Sequence, residues 1–232
     1  MTPILLVHGA WHGGWCWRRV ADRLERKGHK VYTPTLTGLC DRSHLLTRDV
    51  NVALHATDVV NLVKWEGLKD IVLVGHSYAG LVVTEVAERI GPQIASIMFL
   101  DAFYPQAGDS LFSMGSDAVK KLISEAQARG DLTLKPIPAA VFNVNEKDRA
   151  WIDTQCTPQP LATFLDKTAA TTGREKIAKK AYVRAKGYNS VPFDNGLAKA
   201  KAAGWKTFEV PSGHDVMVDM PDRLVEILLD VA

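Results

Sequence analysis

At 232 residues and 47% hydrophobic, the chain is long enough to bury one substantial core and short for two. A formal net charge of +2 gives no electrostatic reason for a nucleic-acid or membrane-surface partner, and no apolar run reaches the roughly 18 residues of a membrane span. Cys16, Cys40 and Cys156 are odd in number and widely spaced, so they predict neither a disulfide framework nor a metal-binding pair. With no basic leader ahead of the first apolar run, a cytoplasmic setting is expected.

Short apolar runs alternate with helical periodicity, which predicts an α/β fold with a mostly parallel sheet flanked by helices. In chain order, strands are expected at Ile4 to His8 and Lys30 to Thr35, with a helix over Trp17 to Lys27 between them that Gly28 stops. A helix over Val52 to Trp65, capped by Asn51, leads to a strand at Asp70 to Gly75. Leu81 to Ile90 reads as a helix ended by Gly91-Pro92, and Ile94 to Asp101 as the next strand. Further strands are expected at Lys180 to Ala185 and Thr207 to Pro211, and a last helix begins at Pro221. The alternation breaks between Asp101 and Lys180, where Val119 to Arg129, Asp148 to Thr154 and Pro160 to Thr168 carry helical patterns. An insertion of that length, about 104–179, placed after a strand's C-terminal end, predicts a small helical lid on a single domain spanning 1–232. The basic run from Arg174 to Lys186 is interrupted by Ile177, Ala178, Ala181, Tyr182 and Val183. It reads as a solvated helix leading into a strand.

The stretch Gly75-His76-Ser77-Tyr78-Ala79-Gly80 stands between a strand and a helix. A serine in that setting, flanked by small residues, has the signature of a nucleophile elbow, whose tight turn lifts the hydroxyl clear of the sheet. A serine hydroxyl needs a base, and among seven histidines His214 is best placed, on the loop between the last strand and the last helix. His29, His44 and His55 read as surface or helix-face residues, and His76 as packing under the elbow. His8 and His12 have no carboxylate or cysteine cluster to complete a metal site. Acyl transfer also requires donors for the oxyanion. The run His8-Gly9-Ala10-Trp11-His12-Gly13-Gly14 follows the first strand, and the amides of Ala10 and Tyr78 are the expected donors. The run has neither dinucleotide glycine spacing nor a P-loop lysine.

On these residues the chain resembles the α/β-hydrolase superfamily over nearly its full length. Within it, the chain is similar to the plant methylesterases and hydroxynitrile lyases and to their bacterial esterase relatives. The resemblance rests on Leu6 to Trp15, Val74 to Gly80, Phe99-Leu100-Asp101-Ala102-Phe103 and the Gly213-His214 loop. It implies Ser77 as nucleophile and His214 as base. In that group the triad acid commonly follows the strand matching Ala181 to Ala185, but Lys186 to Pro192 contains no carboxylate and Tyr188 falls in its place. Some superfamily members carry the acid one strand earlier, which points to Asp101. A carboxylate ending a strand otherwise wholly apolar needs a partner, and a histidine would supply one. Asp194 is the alternative, while Asp215 is poorly placed to face its own neighbour's ring. The lyases resemble one another in a lysine beside the histidine and a threonine in the oxyanion loop, where this chain has Asp215 and Gly9.

The expectation is a serine carboxylic ester hydrolase acting through an acyl-enzyme on a small-molecule ester, with no metal or cofactor required. Trp11, Phe103, Trp151 and Phe164 suggest an apolar pocket for a small or aromatic group, unless they are simply core. Two alternatives stay open: C–C bond, lactone or hydroxynitrile lyase-like chemistry on the same triad, and a ligand-binding protein on a hydrolase scaffold with catalysis lost. Whether the chain forms a homo-oligomer is also open.

Overall fold

The computed structural model describes residues 2–232. The first half follows the expected alternation: β1 (Ile4–Val7), α1 (Arg18–Arg26), β2 (Val31–Tyr32), α2 (Val52–Trp65), β3 (Ile71–His76), α3 (Ala79–Ile90) and β4 (Ile94–Leu100). Asn51 caps α2 by accepting a hydrogen bond from the Leu54 amide at 2.9 Å. The second strand is shorter than expected, because only Val31 and Tyr32 pair with β1.

The long connection after β4 contains α4 (Leu111–Met114), α5 (Asp117–Arg129), β5 (Thr133–Leu134), α6 (Glu146–Gln155), β6 (Gln159–Pro160), α7 (Ala162–Leu165) and α8 (Thr172–Lys176). Here β5 and β6 form a small antiparallel ribbon that sequence periodicity could not reveal at two residues a strand. The helix expected over Pro160 to Thr168 contracts to the single turn α7, since Gln159 and Pro160 belong to the ribbon. The chain then completes β7 (Lys179–Ala185), α9 (Val191–Ala202), β8 (Lys206–Val210), α10 (Val216–Asp219) and α11 (Pro221–Val231).

Six strands form one parallel sheet in the order β2-β1-β3-β4-β7-β8. Side chains alternate across it, so each central strand supplies both cores. Leu5, Val7, Leu73, Ile97 and Phe99 pack with α2, α3 and α9 on one face. Ile4, Leu6, Val72, Val74 and Met98 pack with α1 and α11 on the other. Burial on both faces explains why these strands read as unbroken apolar runs, each fully buried Leu, Ile or Val contributing about 2 kcal/mol.

Two expectations fail on burial. Arg174, in the helical part of the basic run expected to be solvated, is 1% exposed, as is Arg184 in the strand that follows, and His55 is fully buried rather than on the helix surface. The run reads as solvated because charge in sequence carries no information about partners. Arg184 is buried because two carboxylates meet it, and Arg174 because its guanidinium lies 4.1 Å over the Tyr104 ring and bonds the Pro105 carbonyl.

Candidate active site

Successive strands deliver the key side chains to the same C-terminal edge of the sheet, where α/β folds place their ligand crevices. Ser77 directly follows β3 with φ of 54°, in the left-handed region that costs a non-glycine residue roughly 1–3 kcal/mol. Its backbone is fixed by the neighbouring strand: the Ser77 amide donates to the Leu100 carbonyl at 3.2 Å, and the Ser77 carbonyl accepts from Phe103 at 3.1 Å. A β-carbon at position 75 would lie 2.8 Å from the Ala79 carbonyl and from Val83, and one at position 80 would strike the Phe103 carbonyl. Glycine is therefore required at both, which accounts for the small residues around the serine.

Asp101 directly follows β4, is fully buried and also turns left-handed, with φ of 41°. Its Oδ2 accepts from Nδ1 of His214 at 2.7 Å, while Oδ1 accepts from the Arg184 guanidinium at 2.9 Å and the Ala185 amide at 3.0 Å. Asp194, the alternative acid, is turned away, binding Arg184 Nε at 2.9 Å and Lys186 at 3.4 Å. Asp215 pairs with His12 Nε2 at 3.2 Å instead of its neighbour's ring. Because a carboxylate accepts only, Nδ1 of neutral His214 carries the proton and Nε2 keeps the lone pair.

The His214 ring is fixed by aromatic neighbours. Phe193 stacks on it at 5.1 Å and 8°, and Tyr188 and Phe142 lie against it at 5.1 and 5.3 Å. Tyr188 thus occupies the acid's usual place in the sequence as packing. The His214 amide also donates to the Phe142 carbonyl at 2.9 Å, tying the loop to the insertion.

The glycine-rich loop after β1 is held at both sides. His8 donates from Nδ1 to the Gly9 carbonyl at 2.8 Å and accepts the Leu36 amide on Nε2 at 3.0 Å. Burial in that neutral form lowers its pKa to about 3. His12 donates to the Ala10 carbonyl at 2.8 Å and to Asp215. Burial opposes a charge on His12, but the Asp215 carboxylate outweighs it and raises the histidine's pKa above the ordinary value. The amides of Ala10 and Tyr78 donate to no backbone carbonyl among the described residues.

Beneath the elbow, His76 donates from Nε2 to the His214 carbonyl at 3.1 Å, and burial holds its pKa well below the ordinary value. Donor atoms of His76, His214 and Asp215 lie within 4.8 Å of one another. They are not a preformed ligand set, since His214 Nδ1 is committed to Asp101 and His76 Nε2 to a carbonyl.

A cavity of about 500 Å³ opens over this edge, lined by Ser77, His214, Ala10, Tyr78 and a wall that includes Trp11, Phe103, Phe142 and Phe164. Trp151, expected among these aromatics, lies elsewhere, edge-on to Trp15 at 5.1 Å and under Arg19. Ser77 and His214 line the cavity together, but no direct side-chain hydrogen bond joins them among the described residues. Arg184, which no local sequence pattern marks, also belongs to this network through its bond to Asp101.

Comparison with known proteins places the chain in a family and matches its fold. Residues 4–227 match the alpha/beta hydrolase family. The chain is 42% identical over 240 residues to a carbendazim hydrolyzing esterase of Nocardioides sp. (strain SG-4G), with 98% of each chain covered. It is 27% identical over 255 residues to methylesterase 10 of Arabidopsis thaliana, covering 98% of this chain and 90% of that one. Among solved structures, an extracellular alpha/beta-hydrolase from a Paenibacillus species superposes with a TM-score of 0.85 at 23% identity, covering 100% and 99% of the two chains.

Proposed function

The chain belongs to the alpha/beta hydrolase family and is an esterase, and from that premise we propose that it cleaves small or aromatic carboxylic esters through an acyl-enzyme on Ser77. In this reading His214 Nε2 removes the Ser77 proton as Oγ attacks the ester carbonyl, and the amides of Ala10 and Tyr78 receive the oxyanion. Asp101 keeps the imidazole in the Nδ1–H tautomer and stabilises its cation. The protonated ring then gives its proton to the departing alcohol. Water, deprotonated by the same nitrogen, attacks the acyl group and releases the acid and free Ser77. In this reading the hydrogen bond between Ser77 and His214 forms when substrate binds, as such contacts often tighten only in the complex.

The observation that carries the reading is the 2.7 Å bond from His214 to buried Asp101, beside a cavity that His214 lines together with Ser77. The apolar wall supports an uncharged acyl or alkyl group, and the relatives named for ester hydrolysis make methyl esters the first substrates to try. Segment 104–179 contributes Leu111, Met114, Leu134 and Phe164 to that wall, which supports its role as a lid. Lyase chemistry is disfavoured, because Asp215 beside His214 is anionic and already engaged by His12.

Labelling with a fluorophosphonate tests the proposal. The wild type should be modified at Ser77 and turn over p-nitrophenyl acetate, and Ser77→Ala should do neither while keeping its thermal midpoint. Turnover unchanged in Ser77→Ala would remove the serine mechanism.

A further inference from the structure

Trp11 has φ of 66°, a left-handed backbone held by a bulky residue with no local reason to adopt it. It sits one residue after Ala10, and the inserted segment grips it at three points. The Trp11 amide donates to Gln159 Oε1 at 2.9 Å, its indole Nε1 donates to the Leu134 carbonyl at 3.1 Å, and its carbonyl accepts from the Thr157 amide at 2.9 Å. Gln159 is fully buried, and its Nε2 donates to Thr163 Oγ1 at 2.9 Å, whose hydroxyl in turn donates to the Pro160 carbonyl at 2.6 Å. Its amide therefore has one orientation, with oxygen toward Trp11. On the other side of the same peptide, the Ala10 carbonyl accepts from His12, which Asp215 anchors. The peptide plane between Ala10 and Trp11 is thus pinned by Gln159 at its N–H and by His12 at its C=O.

Resting on the esterase reading above, we propose that Gln159 is a positioning residue of the oxyanion hole: by fixing the Ala10–Trp11 peptide in a strained turn, it sets the backbone of Ala10 and so the direction of its N–H, carried by the preceding Gly9–Ala10 peptide, toward the place where the oxyanion develops. Gln159 does not line the cavity, so it acts through the loop and not on substrate. The inserted segment then serves a second purpose besides covering the pocket: it supplies the side chain that holds the loop after β1 in its active shape. A preorganised donor loses most of its value when it can relax, and complete loss of one oxyanion donor costs about 10²–10³ in kcat in other enzymes. Misdirection of one donor should cost less.

The test compares wild type, Gln159→Met, which keeps the length and removes both polar partners, and Thr163→Val, which frees the Gln159 amide to rotate. Gln159→Met should lower kcat on p-nitrophenyl acetate about 10–100-fold with KM within about threefold. Affinity for a trifluoromethyl ketone, which forms a tetrahedral adduct, should fall by the same factor as kcat/KM. Thr163→Val should move both in the same direction by less. A folded Gln159→Met with wild-type kcat overturns the proposal, as does a loss of activity with no change in trifluoromethyl ketone affinity. Should Gln159→Met fail to fold, Thr163→Val with wild-type kcat and ketone affinity overturns it equally. A wild type that hydrolyses no ester would sink the esterase reading and this inference together, whereas an active wild type beside an unaffected variant sinks only the inference.

Discussion

Asp101 Oδ2 and His214 Nδ1 meet at 2.7 Å, although 113 residues separate them in the chain. Asp194, which lies nearer to His214 in sequence, bonds Arg184 and Lys186 instead. Asp101→Asn would offer the ring an amide donor where it now has an acceptor, reversing the tautomer and capping Nε2 with the proton. We expect kcat to fall about 10³–10⁴-fold in Asp101→Asn and to stay within about threefold in Asp194→Asn, whose side chain is 47% exposed. Steady-state kinetics of the two variants decides between the acids, and equal losses would refute the assignment.

Position 9 allows no side chain. A β-carbon there would lie 2.8 Å from His76 Nδ1 and 3.0 Å from Ser77 Cβ. Both neighbours are part of the elbow, so Gly9→Ala must displace the serine or the imidazole beneath it. Overpacking of this kind costs about 1–3 kcal/mol, and displacement of the nucleophile should lower kcat/KM roughly tenfold or more. Wild-type hydrolysis by Gly9→Ala would show that the elbow relaxes freely.

Buried neutral histidines predict the direction of acid sensitivity. Burial lowers the pKa of His8 to about 3 and of His55 to about 4, and takes His76 well below the ordinary value. Below about pH 6.5 the unfolded chain takes up protons on these groups that the folded chain refuses, so stability is full above that pH and falls as pH drops. Each group contributes a slope of at most about 1.4 kcal/mol per pH unit in that window. Asp215, held well below the usual carboxylate range despite burial by the charge of His12, adds loss in the same direction below about pH 4. His12 has the opposite sign: its raised pKa contributes stability that is present below its unfolded pKa and lost as pH rises through the folded value. The thermal midpoint should therefore fall clearly between pH 7 and pH 5, and a flat profile over that range would contradict the buried-histidine account.

Arg184 is the counter-charge of the buried Asp101. Its guanidinium also reaches Asp194 and the Tyr188 carbonyl at 2.8 Å, so it braces the loop that carries the aromatic cover of His214. Arg184→Met leaves Asp101 with His214 and one amide, and breaking such a buried pair costs about 3–5 kcal/mol. Arg184→Lys should recover only part of this, since one ammonium cannot span the same acceptors. Urea unfolding of the three proteins measures it, and a loss under about 1 kcal/mol in Arg184→Met would show the pair to be dispensable.

The long α9 marks where local reading stops. Pro192, Asn195 and Gly196 look like loop residues, yet they lie within Val191–Ala202. Pro192 fits because it occupies the first turn, where its missing amide is not needed. Gly196 is there because a β-carbon would lie 2.6 Å from the Tyr182 hydroxyl, a contact that exists only once α9 packs on β7. Gln159 and Arg184 were illegible for the same reason. Nothing in Thr157-Pro158-Gln159-Pro160 distinguishes a solvated glutamine from one that grips the Trp11 amide.

From sequence alone follow the six sheet strands, the serine at the elbow, the histidine after the last strand and the glycine-rich run after the first. Each is encoded within a few neighbouring residues: the central strands by burial on both faces, the edge strands β2 and β8 by short β-branched and aromatic runs, and the elbow by the steric demands of a tight turn. Asp101 stands out as a carboxylate ending an apolar strand, but the choice between it and Asp194, the burial of Arg184 and the clamp on Trp11 were decided only in three dimensions. A hydrogen bond between distant residues leaves no local pattern, and its strength depends on the removal of water that folding alone accomplishes.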